Sequence, residues 1–248
     1  MTYQFTVSPD FPPDHLSGWY IFNTWLQKQT GEGIHLEMYN SFQAQRSVIE
    51  NDGIDLIYAN PFDAAMLVRD KGFFPLVRPR GITDEAIIAV NADSAAHDVA
   101  DLSPGTTIAM TDDPDVRMMG MILLEAGDIY ANNSQTIPCD AYILVAKQLL
   151  QGHADVGVFL AEAYDNLSGL IKSKLRVLVR SEISVINHSL MLGPKLAHRQ
   201  HEWQELLVAM GSDDKSTAVL KSLGFSAWEK IEYEEMEFMI DLMDTLAV

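Results

Sequence analysis

Residues 41–67 read SFQAQRSVIENDGIDLIYANPFDAAML. The first ten fit one amphipathic helix, with Gln43, Arg46 and Glu50 on one face and Ala44, Val48 and Ile49 on the other. Gly53 stops it. The run from Asp55 through Tyr58 is too short for anything but a strand. Asn60 and Pro61 then open a second helix, with Asn as N-cap and Pro at the first helical position. A strand that ends directly in a helix start presents free backbone N–H groups, a setting that favours a polar or anionic ligand.

The same grammar returns at residues 141–167, AYILVAKQLLQGHADVGVFLAEAYDNL. An apolar helix is followed by Gly152, Asp155, a short apolar strand and another helix. Two readings fit this repetition. One is a pair of ordinary α/β units within one domain; the other is two similar lobes facing a shared cleft.

The rest of the chain supplies more of the same layers. Strands are expected over 5–8, 34–39, 87–90, 106–111 and 175–179, with three prolines in the loop over 9–13. A helix over 17–29 carries Trp19, Ile21, Phe22, Trp25 and Leu26 as its apolar stripe. Further helices are expected over 118–126, ended by Gly127, and over 202–210 and 216–223. The last, over 231–246, turns Met236, Met239, Ile240, Met243 and Leu246 inward and many carboxylates outward. No linker is long or low in complexity, so the chain is expected to form compact α/β layers rather than tethered modules.

Composition narrows the function. The 248 residues are 48% hydrophobic and 21% charged, which is enough to bury a large core in one large or two smaller domains. No run of eighteen apolar residues exists, so no membrane-spanning helix is expected. A net charge of −18 argues against nucleic acid and anionic lipid as partners. The single cysteine, Cys139, permits no internal disulfide. There is no G-x-G-x-x-G, no Walker loop and no G-x-S-x-G around Ser8, Ser181 or Ser189. His198 and His201 lack the companions of a zinc site. Met110, Met118, Met119 and Met121 read as core filler rather than copper ligands. No cofactor and no catalytic acid–base pair is expected.

Taken together, the ordered segments resemble the phosphonate-type family of periplasmic solute-binding proteins, which feed ABC transporters. The resemblance begins at Phe5-Thr-Val-Ser-Pro9 and runs through the Phe42 helix, Asp55-Leu56 and Asn60-Pro61, where the family usually has Gly-Pro. It continues through Asp93-Ser94, Asp101-Leu102 and Gly105, then Asp113-Pro114 with Gly120 as an Asp-Pro…Gly loop. Gly152 and Asp155, Ser181 after a Leu-Arg-Val strand, and Leu223-Gly224-Phe225 complete it. No one motif is specific; their order and spacing are.

The resemblance implies an α/β, two-lobed periplasmic-binding-protein-like fold, with mixed sheets and helices on both faces. Lobe one would comprise 1–91 and 189–248, lobe two 92–188, joined by two crossovers. It implies a non-catalytic protein that holds a small-molecule ligand in an interlobe cleft by hinge closure, as a monomer, for an ABC permease or a sensor protein. It also implies export to the periplasm. No basic region or apolar leader core precedes the first strand, so a removed leader and a cytoplasmic protein both fit the sequence. Two alternatives share the fold: a ligand-sensing domain, and a cytosolic enzyme similar to those of menaquinone or thiamin biosynthesis.

The ligand site departs from the family. Where phosphonate binders carry a Ser-Thr-Ser run, this chain has Arg117-Met118-Met119, without a hydroxyl. Phe42 and Ala64 stand where the family has binding tyrosines, Leu160 stands for a carboxylate with Glu162 close by, and Tyr142 or Asp140 stands for a histidine. Asp112, Asp113 and Asp115 crowd the same loop; one of them is expected to cap the helix after it and all would repel an oxyanion. The ligand-binding candidates are Ser8, Asn40, Phe42, Asn60, Phe62, Asp113, Arg117 and Tyr142. Phe42, Phe62, Met118, Met119 and Leu160 would favour a ligand with apolar surface, with phosphate and simple alkylphosphonates bound weakly.

Overall fold

The structure is a computed structural model that describes residues 2–246, the side chain of Leu246 excepted. In chain order, β1 (Thr2–Val7), α1 (Leu16–Thr30), β2 (Gly33–Met38), α2 (Phe42–Glu50), β3 (Leu56–Ala59), α3 (Pro61–Lys71) and β4 (Phe74–Pro79) come first. There follow β5 (Ala86–Asn91), β6 (Thr107–Met110), α4 (Pro114–Leu124), β7 (Gln135–Pro138), α5 (Tyr142–Leu150) and β8 (Val156–Leu160). The short α6 (Ala161–Asp165) and α7 (Gly169–Lys172) lead to β9 (Leu175–Arg180). β10 (Ser189–Leu192), α8 (Gln200–Val208), α9 (Asp214–Ser222), β11 (Trp228–Lys230) and α10 (Tyr233–Leu246) close the chain.

Two compact units result. Met1–Ile82 and Asn187–Asp244 form the first, and Thr83–Ile186 forms the body of the second. The chain passes from the first unit to the second between Ile82 and Thr83 and returns between Ile186 and Asn187. The crossings fall before β5 and before β10, earlier than the residues 91 and 188 expected from the sequence. The reason is pairing: β5, which the sequence placed in lobe one, lies antiparallel between β8 and β9 in the second sheet.

The first sheet runs β11-β4-β10-β3-β1-β2, with β1 parallel to β2 and β3 and β10 antiparallel to β3 and β4. Its strands alternate between two buried faces. Leu56 and Tyr58 of β3, and Leu190 and Leu192 of β10, join Phe5, Trp19, Phe22 and Trp228 on one side. Ile57, Ala59 and Met191 join Ile49, Leu67, Met236, Met239 and Ile240 on the other. Both faces are thus covered by helices, which explains the continuous apolar run of β3. On α1, Trp19, Phe22 and Leu26 point inward as expected, but Ile21 is exposed and Asn23 is buried, donating to the Ile34 carbonyl at 3.2 Å. On α10, Met236, Met239, Ile240 and Met243 are buried; Leu246, expected on the same stripe, has its side chain outside the described residues.

The second sheet runs β7-β6-β8-β5-β9, with β6 parallel to β7 and β8. α4 packs on β5 and β8, while α5 packs on β6 and β8. Gly120 is not in a loop, as the resemblance suggested, but inside α4, where a Cβ would come within 2.3 Å of Val158 Cγ1. It is the contact point between helix and sheet.

The repeated Gly–Asp–strand grammar has one physical cause in both units. Asp55 N donates to the Gln4 carbonyl at 2.8 Å, and Asp55 Oδ2 accepts from Gln4 N at 2.9 Å. Asp155 N donates to the Thr107 carbonyl at 2.9 Å, and Asp155 Oδ2 accepts from Thr107 N at 2.8 Å. Each aspartate thereby locks the start of its strand to the parallel neighbour and extends the ladder by one residue.

Candidate functional site

In the first unit, the carboxyl ends of parallel β1 and β3 and the start of β10 lie side by side, the usual position of ligands in open α/β sheets. Ser8 and Asn60, expected here, are both buried and bonded: Asn60 Nδ2 donates to Ser8 Oγ at 3.1 Å. Asn60 also caps α3, its Oδ1 accepting from Asp63 N at 2.7 Å, while Nδ2 donates to Asp63 Oδ2 at 2.8 Å. Asp63 Oδ1 takes the Arg46 Nε–H at 2.5 Å. The Arg46 guanidinium carbon lies 5.0 Å from the centre of the Phe62 ring and 5.6 Å from that of Phe42. Four helix-start residues thus form one assembly in which two rings hold a cation that a buried carboxylate anchors. Phe62 is 41% exposed, Phe42 is buried at the first position of α2, and Asn40 is exposed just before it.

α2 itself is rotated from the sequence expectation. Ala44, placed on the inner face, is exposed, and Gln45 is fully buried in its stead, donating through Nε2 to Thr6 Oγ1 at 3.0 Å and the Val7 carbonyl at 2.9 Å. That rotation brings Arg46 toward the aromatic rings.

Two residues of the same edge were not singled out by sequence reasoning. Asp10 Oδ2 pairs with His188 Nε2 at 2.9 Å, and the His188 ring stacks on Tyr58 with centroids 5.2 Å apart. Burial raises the Asp10 carboxyl, but the charge and hydrogen bond of His188, the Ser8 hydroxyl and the residue's own backbone outweigh it and hold the group below its usual value. The Ser-Pro-Asp sequence around Asp10 offered a weak signal; His188, 178 residues away, offered none.

In the second unit, Asp113 caps α4, its Oδ1 accepting from Val116 N at 3.3 Å. Its Oδ2 accepts from the Tyr142 hydroxyl at 2.7 Å, so two of the expected residues meet. The Tyr142 ring also stacks on Phe159. α4 begins at Pro114, four residues earlier than the expected 118, because Asp113-Pro114 is itself the N-cap and first helical position. Arg117 therefore sits within the helix rather than in a loop. It is exposed and makes no side-chain hydrogen bond or ion pair among the described residues, whereas Asp113 and Asp115 are buried. Met119 and Leu160, expected to offer apolar surface, are buried in the unit's interior; Met118 is half-buried. At the same sheet edge, Glu85 accepts from the Ser181 hydroxyl, from Ile183 N at 3.1 Å and from Ser184 N at 2.7 Å, so a carboxylate of the chain already fills that backbone cradle.

The sequence profile of a family described as ABC transporter, phosphonate, periplasmic substrate-binding protein matches residues 5–236. The chain belongs to this family. Its members are transporter binding proteins rather than enzymes, and their partners are a small-molecule ligand and an ABC permease. Solved structures share the two-lobed α/β fold. PhnD1 from Prochlorococcus marinus, in complex with methylphosphonate, is 12% identical with a TM-score of 0.83, covering 99% of this chain and 98% of that one. A Xanthomonas citri protein solved with chloride is 15% identical with a TM-score of 0.81, covering 99% and 98%. A binding component of an ABC phosphonate transporter from Pseudomonas aeruginosa is 15% identical with a TM-score of 0.80, covering 98% and 86%. No curated protein matches the sequence. Among the described residues, no helix is long and apolar enough to cross a membrane.

Proposed function

We propose that this family member binds one small molecule at its strand-end loops and works by hinge closure in the periplasm, as a monomer. Ser8, Asn40, Phe42, Asn60 and Phe62 would meet the ligand from the first unit, and Asp113, Arg117 and Tyr142 from the second. A ligand that contacts both units stabilises only the closed state, and so shifts the population toward the form a permease reads. The observation that carries this reading is the bonded group Ser8–Asn60–Asp63–Arg46, with Phe42 and Phe62, at the carboxyl ends of parallel strands in a chain of this family. The ligand is proposed to be other than phosphate or a simple alkylphosphonate. The family's hydroxyl run is replaced by Arg117-Met118-Met119, and the α4 start is occupied by Asp113.

The test begins with native mass spectrometry of protein purified without refolding, to name the ligand. Addition of that ligand to stripped protein should reduce the radius of gyration in small-angle scattering. Phe62→Ala should weaken binding tenfold or more with an unchanged ligand-free melting temperature, because Phe62 is 41% exposed. A ligand that binds with no change in radius, and with wild-type affinity to both Phe62→Ala and Tyr142→Phe, would refute the site and the mechanism.

A further inference from the structure

Asp10 lies three residues past Val7, the last residue of β1. Its side chain is 4% exposed, and Oδ2 is held by His188 Nε2 at 2.9 Å. Oδ1 is shielded from solvent and has no hydrogen-bond partner among the described residues. A buried carboxylate oxygen without a donor is uncommon in folded proteins and is costly unless something supplies one. Of the neighbouring donors, Asn60 Nδ2 is committed to Ser8 and Asp63, and Arg46 Nε to Asp63; the Ser8 hydroxyl and the backbone of Asp10 itself favour the carboxylate, yet Oδ1 is left without a hydrogen-bond partner among the described residues. His188 and Ser8 favour the ionised carboxylate over the acid. The position therefore offers a fixed, negatively charged acceptor with one oxygen to spare.

The second unit repeats the device. Asp113 lies three residues past Met110, the last residue of β6, and is likewise buried. Asp112 and Asp115 flank it, against the one guanidinium of Arg117. Meanwhile the features that would hold an oxyanion are taken up internally. The starts of α2, α3 and α4 are capped by Ser41, Asn60 and Asp113. The start of α5 has no side-chain cap, but its first residue, Tyr142, is bonded to a carboxylate.

We infer that the ligand of this chain carries a primary ammonium group and that Asp10 Oδ1 accepts one of its N–H bonds. This inference deepens the proposed binding function and rests on it. A primary ammonium supplies both the charge and the proton that the site lacks; a quaternary ammonium supplies charge alone, and an oxyanion supplies neither.

Thermal-shift and calorimetric titration of the purified, ligand-stripped protein would use three probe sets: ethanolamine, putrescine and propylamine; choline; and methylphosphonate with methanesulfonate. At least one primary amine should raise the melting temperature and bind at least tenfold tighter than choline and both anions. Asp10→Asn should weaken that amine tenfold or more. If Asp10→Asn does not fold, Asp10→Glu, which keeps the charge but displaces the oxygen by one methylene, should do the same. Amine affinity unchanged in these variants would overturn the assignment. So would anions that bind the wild type while no amine does, an outcome that leaves the binding function standing. If no amine binds, the ammonium inference falls, while the small-molecule reading is decided separately by native mass spectrometry and scattering.

Discussion

Asp55→Ala and Asp155→Ala delete the same hydrogen bond from the two units, yet the structure assigns them unequal costs. Asp55 is 6% exposed and accepts from Gln4 N at 2.9 Å; Lys195, 58% exposed, pairs with its other oxygen at 2.8 Å. A bond to a charged acceptor is worth about 1.5–3 kcal/mol when water cannot replace it. The solvated lysine adds about 0–1 kcal/mol. Asp155 makes an equally short bond to Thr107 N but is exposed, so water takes over much of the bond when the side chain is cut back. Its loss is about 0.5–1 kcal/mol. With roughly 2–4 °C of melting temperature per kcal/mol at this chain length, Asp55→Ala should lower the transition by about 3–16 °C and Asp155→Ala by about 1–4 °C. Calorimetry and urea titration read both. Equal losses, or a larger one for Asp155→Ala, would show that burial is not what sets the worth of this lock.

Gly18→Ala should be strongly destabilising, by about 2–3 kcal/mol or more, because the new Cβ would lie 2.0 Å from the Ser222 carbonyl oxygen and force α1 and α9 apart. Gly31→Ala, at φ 72° with open space around it, should cost only about 1–2 kcal/mol; the two melting curves compare them. Because the Asp10 carboxyl is depressed in the folded state, the unfolded chain binds more protons just below its ordinary value, and stability rises with pH there. That contribution is complete above about pH 4 and vanishes as pH falls through the depressed value, so urea midpoints of Asp10→Asn should lack this part of the wild-type acid limb. Methylphosphonate should bind no tighter than millimolar. Two or three missing bonds to a charged group, at about 1.5–3 kcal/mol each, amount to roughly a hundredfold or more; calorimetry giving micromolar affinity would contradict this.

The architecture was legible because its units are short and punctuated. Gly152 ends its helix in the left-handed conformation, whereas at the end of α2 that conformation falls on Asp52 rather than on the expected Gly53. Asp55 and Asp155 lock strands, and Asn60-Pro61 and Asp113-Pro114 start helices, all through bonds to near neighbours or to the adjacent strand. β4, β7 and β11 went unread. β4 and β7 contain prolines, and β11 has three residues; β7 and β11 lie at sheet edges, where proline and brevity are tolerated. The site was half legible. The capping role of Asn60 follows from local chemistry, and so does that of Asp113. Asp10 with His188 depends on strands 178 residues apart coming together. Arg46 was legible only as sharing a helix face with Gln43 and Glu50, since helical periodicity fixes a face but not the Phe62 ring that a neighbouring helix sets against it.

The central place of β10 in the first sheet has a consequence for synthesis. β3 and β4 do not pair with each other; each pairs with β10. Between the end of β4 at Pro79 and the end of β10 at Leu192 the ribosome adds 192 − 79 = 113 residues. At about 5–20 residues per second this takes roughly 6–23 s. For that interval the nascent chain carries a half-built sheet with one edge of β3 open, while the whole body of the second unit emerges and can fold as a continuous piece. The first unit is thus the last to be completed although it is the first to be made, and its open edge is the segment a chaperone or a translocation machine would find unfolded.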